Sequence, residues 1–82
     1  LPIYQMSMED GFLPAEWTWA HDNTVPSNRS VVAAYDPAVT PTTVIDFFLL
    51  SPNVEMTLLM CYDLSFKNSD HNPVLLRARL KP

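Results

Sequence analysis

The sequence predicts an α/β fold of mostly antiparallel strands with one short helix, the make-up of part of a two-sheet sandwich. Three apolar runs carry that expectation, at residues 44–50, 56–62 and 74–80. The helix is read from Pro2, suited to a first helical turn, and Gly11, suited to closing a last one. The third observation is composition. At 82 residues, with 48% hydrophobic residues and a single glycine, the chain is unusually apolar for its length. So short a chain buries only a modest share of its surface, and its apolar strands are expected to need cover from other polypeptide.

Taken in order, the elements justify themselves locally. Residues 2–10 place Ile3, Met6 and then Phe12 on related turns, which predicts a helix ending at Gly11. Residues 13–20 carry Trp17-Thr18-Trp19, an alternation that predicts a strand with both indoles on one face. Residues 21–43 hold Pro26, Pro37 and Pro41 among Asn, Asp, Ser and Thr, the composition of a long loop with a short strand at 31–35. Strands follow at 43–50 and 56–62. A turn-rich loop at 65–72 leads to the last strand, where Pro73 sits at the entrance and its missing N–H does least harm. No repeat or low-complexity segment appears, and one domain piece is expected.

Two places carry chemistry. Residues 44–50 are apolar on both faces except for Asp46, and a carboxylate there is costly without a partner, a metal or water at the strand end. Downstream, Ser69-Asp70-His71-Asn72-Pro73-Val74 sets an acid beside an imidazole at a strand entrance, where loops display reactive groups on a rigid scaffold. Asp70 can hold a hard cation through its oxygens, and His71 can move a proton or bind a phosphoryl oxygen near neutral pH. An Asp behind a His fixes the imidazole tautomer and stabilises its charged form, which makes Asp46 the natural partner of His71. On the residues alone, a loop cap and a surface histidine remain the competing explanation.

The remaining features exclude more than they assign. Nine acidic residues against five basic ones, a formal charge of −4, leave no electrostatic footprint for tight nucleic-acid binding. Arg77 and Arg79 share a face of the last strand, while Arg29, Lys67 and Lys81 are scattered. Cys61 is the only cysteine, and its apolar neighbours predict a buried, inert thiol. No apolar run is long enough to span a bilayer, so no transmembrane segment is expected. Asn28-Arg29-Ser30 is formally a glycosylation sequon in a polar loop.

Together these segments resemble the endonuclease/exonuclease/phosphatase superfamily, which includes DNase I-like nucleases, abasic-site endonucleases, sphingomyelinases and inositol-phosphate phosphatases. Ile45-Asp46-Phe47-Phe48-Leu49-Leu50-Ser51 looks like the family's Asp-bearing strand, and Ser69-Asp70-His71-Asn72-Pro73-Val74 looks like its closing motif. Trp17-Thr18-Trp19 occupies the place of an aromatic-Thr-aromatic strand that often precedes them. The resemblance covers most of the chain and implies a DNase I-like four-layer α/β sandwich, with residues 1–82 as the C-terminal portion of a single domain.

It also implies roles. His71 would activate the attacking water or contact the scissile phosphate, and Asp46 would orient and charge it. Asp70 would belong to a metal site holding Mg2+ or another divalent cation such as Mn2+. Asn72 and Pro73 would be chiefly structural, with Asn72 also a candidate substrate contact. Trp19 is a second candidate contact, although packing against a sheet face suits it better. The expected activity is metal-dependent hydrolysis of a phosphoester, whether in nucleic acid, phospholipid or a sugar phosphate.

The sequence departs from the family in several respects. Val44 follows two threonines where the family often has a basic residue, and a longer Pro-rich segment separates Trp19 from Asp46. The family's upstream Asn, metal-binding Glu, second His and Asp-x-Asn pair have no counterpart in residues 1–45: Glu9, Asp10 and Glu16 lack the context, and His21-Asp22-Asn23 stands alone. The expected partner is therefore the N-terminal portion of the same domain, without which this piece should be inactive. A non-catalytic module that keeps the fold, and a self-contained small all-β module, are the alternatives.

Overall fold

A computed structural model describes residues 2–5 and 13–82, and all structural statements below concern these. They form seven strands: β1 (Ile3–Gln5), β2 (Thr18–Ala20), β3 (Asn28–Arg29), β4 (Thr42–Val44), β5 (Phe48–Leu50), β6 (Val54–Cys61) and β7 (Val74–Leu80). Among the described residues there is no helix. The strands make three small sheets, ordered β1-β4-β3, β2-β5 and β6-β7, and every pairing is antiparallel except that of β1 with β4.

β4 is the centre of the first sheet. Thr42 and Val44 are buried and Thr43 is half-buried between them, the alternation expected of a strand with one covered face. Its parallel neighbour corrects the expected helix at 2–10: Ile3–Gln5 is a strand in register with Thr42–Val44. A β-branched and an aromatic residue suit that edge, and tertiary pairing outweighs the weak local preference set by Pro2. The remainder of the expected helix, with Gly11 and Phe12, lies outside the described residues.

The expected strand at 43–50 is in fact two. After Val44 the chain leaves the first sheet, and from Phe48 it pairs with β2, matching Trp19 with Leu49. Ile45, Asp46 and Phe47 form the break. The expected strand at 31–35 is absent, and the short strand falls earlier, at β3, which occupies the other edge of β4. Val32, 94% exposed, has no sheet to join. The Trp17-Thr18-Trp19 strand begins one residue late. Trp17 precedes β2 in a turn closed by its N–H on the Pro14 carbonyl at 3.3 Å, after Glu16 with φ of 67°.

β6 and β7 form the longest ribbon, with a bulge between Met56 and Leu58. Register puts Val54, Met56, Leu59 and Cys61 opposite Leu80, Ala78, Leu76 and Val74, so one face is wholly apolar. The other face carries the Glu55–Arg79 pair, with Arg79 Nε 2.8 Å from the carboxylate. The apolar face is buried only near Cys61, and Leu80 at its far end is 72% exposed.

The core is correspondingly small: Ala20, Val44, Leu50, Cys61 and Phe66. Radius of gyration is 14.5 Å, against about 12 Å for a compact chain of this length. Accessible surface is 5793 Å² for 9.3 kDa, against about 5,000 Å² for a typical folded monomer of that mass. The fold is elongated and keeps apolar surface in the open.

Candidate active site

Asp46 and His71 meet. The break between β4 and β5 supplies the carboxylate, and the long connection between β6 and β7 supplies the imidazole. His71 Nδ1 lies 2.7 Å from Asp46 Oδ2, and the two side chains are 41% and 39% exposed. Asp46 is therefore not a charge buried inside a strand. It stands at a strand break, partly in water, with a partner.

Ser27 makes the break. Its hydroxyl, in a residue only 1% exposed, accepts the N–H groups of both Ile45 and Asp46, at 3.0 and 3.1 Å. Those two donors are thereby taken from any sheet ladder. The Ser27 carbonyl accepts the Asn72 N–H at 2.9 Å, next to His71. One residue thus ties down the backbone on both sides of the pair.

Asn72 is 2% exposed and fully engaged. Its Oδ1 accepts the N–H groups of Leu64 and Phe66 at 3.2 and 3.4 Å, and its Nδ2 donates to the Pro26 carbonyl at 2.9 Å. These bonds hold the connection that delivers His71, the structural role expected of Asn72, and the residue also lines both cavities beside that imidazole. Trp19 is half-buried, edge-on to Phe47 with ring centroids 5.2 Å apart and 4.7 Å from the His21 ring. It supports Phe47 from behind, and its buried Nε1 has no partner among the described residues.

His71 lines two cavities. One, about 350 Å³, is bounded by Asp46, Phe47, Phe48 and Pro73, and the other, about 310 Å³, by Leu64, Lys67 and Ser69. Lys67 gives the second a cationic wall. Asp70, its neighbour in sequence, lines neither. Its carbonyl accepts the Arg29 N–H at 3.0 Å, and its carboxylate receives only a 3.4 Å contact from the Ser69 hydroxyl among the described residues.

On the imidazole's other side, Asn28 Nδ2 lies 3.1 Å from His71 Nε2 and 3.3 Å from the Asp70 carbonyl, while Asn28 Oδ1 accepts the Thr43 hydroxyl at 3.2 Å. Sequence reasoning does not mark Ser27 at all, and marks Asn28 only as part of a formal sequon. Hydroxyl and carboxamide side chains in a polar loop usually bond nearby backbone, and no spacing points from residues 27–28 to 46 or 71.

As for metal, one hard carboxylate fits one position around Mg2+, which is commonly held by one or two carboxylates together with water and substrate phosphate. Among the described residues no group of three or more His, Cys, Asp or Glu side chains converges. A complete site would need ligands beyond Asp70.

A further cavity, of about 600 Å³, lies where residues 21–24 face β6. It brings His21 and Asp22 together without making a second dyad. The Asp22 carboxylate accepts the Cys61 N–H at 3.0 Å and the Thr24 N–H at 2.8 Å, and His21 is bonded to Asn23. Partial burial pushes Asp22 upward, but the hydrogen bonds from Cys61 and Thr24, with the His21 ring nearby, hold its carboxyl below the ordinary value. The Cys61 thiol is buried and pushed up to about 11, by burial first and then by the carboxylates of Asp22, Asp46 and Asp63.

No helix of the described residues is long and apolar enough to cross a membrane. Comparison of the chain with family models, curated proteins and solved structures finds no match in any of the three.

Proposed function

We propose that this chain carries the Asp–His portion of a metal-dependent phosphoester hydrolase site, within a DNase I-like four-layer sandwich. The observation that carries the reading is the 2.7 Å contact between Asp46 and His71, which are 25 residues apart in sequence and are delivered by two separate breaks in the sheets. In this reading His71 Nε2 takes the proton of the attacking water, and Asp46 stabilises the imidazolium that forms. Lys67 attracts the anionic substrate into the cavity beside His71. Asp70 would contribute one carboxylate to Mg2+ or Mn2+. When bound, the cation stabilises the negative charge that develops on the phosphoryl oxygens. The wholly apolar face of the β6–β7 ribbon suits cover by the rest of the same domain, the partner the sequence leads one to expect.

The test uses the natural protein, assayed with Mg2+ on a generic phosphodiester and a generic phosphomonoester. Substituting His71→Ala is expected to abolish the activity, and the ratio of the two wild-type rates identifies the substrate class. Unchanged activity on both substrates would falsify the role of His71.

A non-catalytic module that keeps the fold is the second reading. It is favoured by the Asn28 amide, which already occupies His71 Nε2 at 3.1 Å. Absence of hydrolysis in the wild-type protein, with the dyad intact, selects it.

A further inference from the structure

A carbonyl oxygen only accepts hydrogen bonds, so the Asn28 atom facing the Asp70 carbonyl at 3.3 Å is the amide nitrogen. The Thr43 hydroxyl, which can donate to the oxygen at the other end of the carboxamide at 3.2 Å, is compatible with that orientation. Nδ2 has two hydrogens. One points to Asp70 O, and the other meets His71 Nε2 at 3.1 Å. Nε2 must then present a lone pair, and the imidazole proton must sit on Nδ1, donating to Asp46 Oδ2 at 2.7 Å. The backbone bridge between Asn28 and His71 keeps the two side chains in reach.

We propose that Asn28 is a positioning residue that holds His71 in the Nδ1–H tautomer, with the Nε2 lone pair directed at the Asn28 amide. Protonation of Nε2 would set two donors head to head. Rotating the carboxamide to relieve this would oppose its oxygen to the Asp70 carbonyl, so the frame around Asn28 resists both changes. Asp46 favours the proton on Nδ1 from one side, and the Asn28 amide favours a lone pair on Nε2 from the other. In the hydrolase reading, Asn28 yields Nε2 when water or a phosphoryl oxygen takes its place.

Only that consequence rests on the hydrolase reading, because the tautomer is measurable whether or not the protein hydrolyses anything. The experiment uses uniformly 15N-labelled natural protein, in which the His71 resonances are assigned by their loss in His71→Gln. Imidazole nitrogen resonances are read by long-range 1H–15N correlation at pH 7. Expected for the parent are a protonated Nδ1 and an unprotonated Nε2. Asn28→Ala should lower the preference for that tautomer roughly fivefold, the worth of one hydrogen bond. Asn28→Asp replaces the donor with an acceptor and should lower that preference further.

A parent with the proton on Nε2 overturns the proposal, and so does an unchanged tautomer ratio in Asn28→Ala. If Asn28→Asp does not fold, the parent and Asn28→Ala decide. The predicted tautomer in a protein that hydrolyses no phosphoester sinks the hydrolase reading and leaves this one standing. Hydrolysis with the opposite tautomer does the reverse.

Discussion

The Ser27 hydroxyl accepts the backbone N–H of Asp46 at 3.1 Å, and this contact, together with the one from Ile45, turns a strand into a site. An uninterrupted strand through residues 43–50 would put the Asp46 carboxylate on a sheet face, either buried at high cost or pointed away from His71. By capturing two consecutive donors, Ser27 ends pairing with the first sheet after Val44 and lets the chain restart in the second at Phe48. Through its own carbonyl it also anchors Asn72, the neighbour of His71.

Ser27→Ala should therefore be costly for so small a change. Two part-buried backbone donors lose an acceptor that sits in a residue only 1% exposed, at about 1–3 kcal/mol for each unsatisfied buried group. A loss of about 2–3 kcal/mol in urea unfolding is expected, short of the full sum because the loop can relax. The Asp46–His71 contact should loosen with it. A loss below about 0.5 kcal/mol would show that Ser27 does not hold the break.

The dyad itself should contribute little to stability. With both partners about two-fifths in water, the contact is screened like an exposed polar or ionic pair and is worth under about 1 kcal/mol. His71→Ala should leave the unfolding midpoint nearly unchanged while lowering the proposed hydrolysis by about 10²–10⁴, the usual contribution of a positioned acid–base group. Stability and activity falling together in this variant would make His71 a structural residue.

Asp22 predicts a pH dependence whose sign is fixed. Its folded-state pKa is depressed, so the carboxylate contributes stability that is present above its unfolded value, about 3.9, and is lost as pH falls through the lower folded value. Asp22→Asn removes the contribution. Wild type should exceed the variant most at pH 5 and above, with the gap closing toward pH 3. Urea midpoints at pH 5, 4 and 3 measure it, and a gap that widens on acidification contradicts the assignment.

Cys61 tests how well the centre is sealed. Burial and three nearby carboxylates raise its pKa to about 11, so at pH 8 about one thiol in a thousand is ionised. Iodoacetamide at pH 8 should leave the native protein unmodified and label it fully in denaturant. Native labelling as fast as that of a free cysteine would show that the thiol faces solvent.

The dyad was legible because its chemistry is carried by residue type. An acid within an apolar run and an imidazole at a strand mouth each needed explanation, and each explained the other. The β6–β7 ribbon was legible too, since the runs at 56–62 and 74–80 are long enough to pair without help. Residues 2–5 were not, because three residues cannot establish a period and Pro2 suits a helix start as well as an edge strand. Ser27 and Asn28 were not, because their roles depend on what the fold sets opposite them rather than on their neighbours. The continuous apolar run at 43–50 concealed a change of sheet that a hydroxyl from elsewhere imposes.

The connection that presents His71 stores strain, and two substitutions should show it with opposite signs. Ser65 and Phe66 have φ of 53° and 52°, in the left-handed region that costs L-residues about 1–2 kcal/mol each. The Lys67 N–H closes the turn on the Leu64 carbonyl at 3.2 Å, and positive φ at both central positions is the habit of a type I′ turn, where glycine is preferred. The conformation is held by Asp63 on the Ser65 N–H, by Asn72 on the Phe66 N–H, and by the Phe66 ring, buried edge-on to Tyr35 at 4.9 Å. At exposed Ser65 a glycine relieves the backbone and gives up no packing, so Ser65→Gly should gain about 0.5–1 kcal/mol after the entropy of the freer unfolded chain is counted. At Phe66 the same relief comes with loss of a core ring, and Phe66→Gly should cost about 2–4 kcal/mol net. Urea unfolding of the two variants beside wild type decides: if both destabilise, the turn is not strained at Ser65, and if both stabilise, the Phe66 ring is not part of the core.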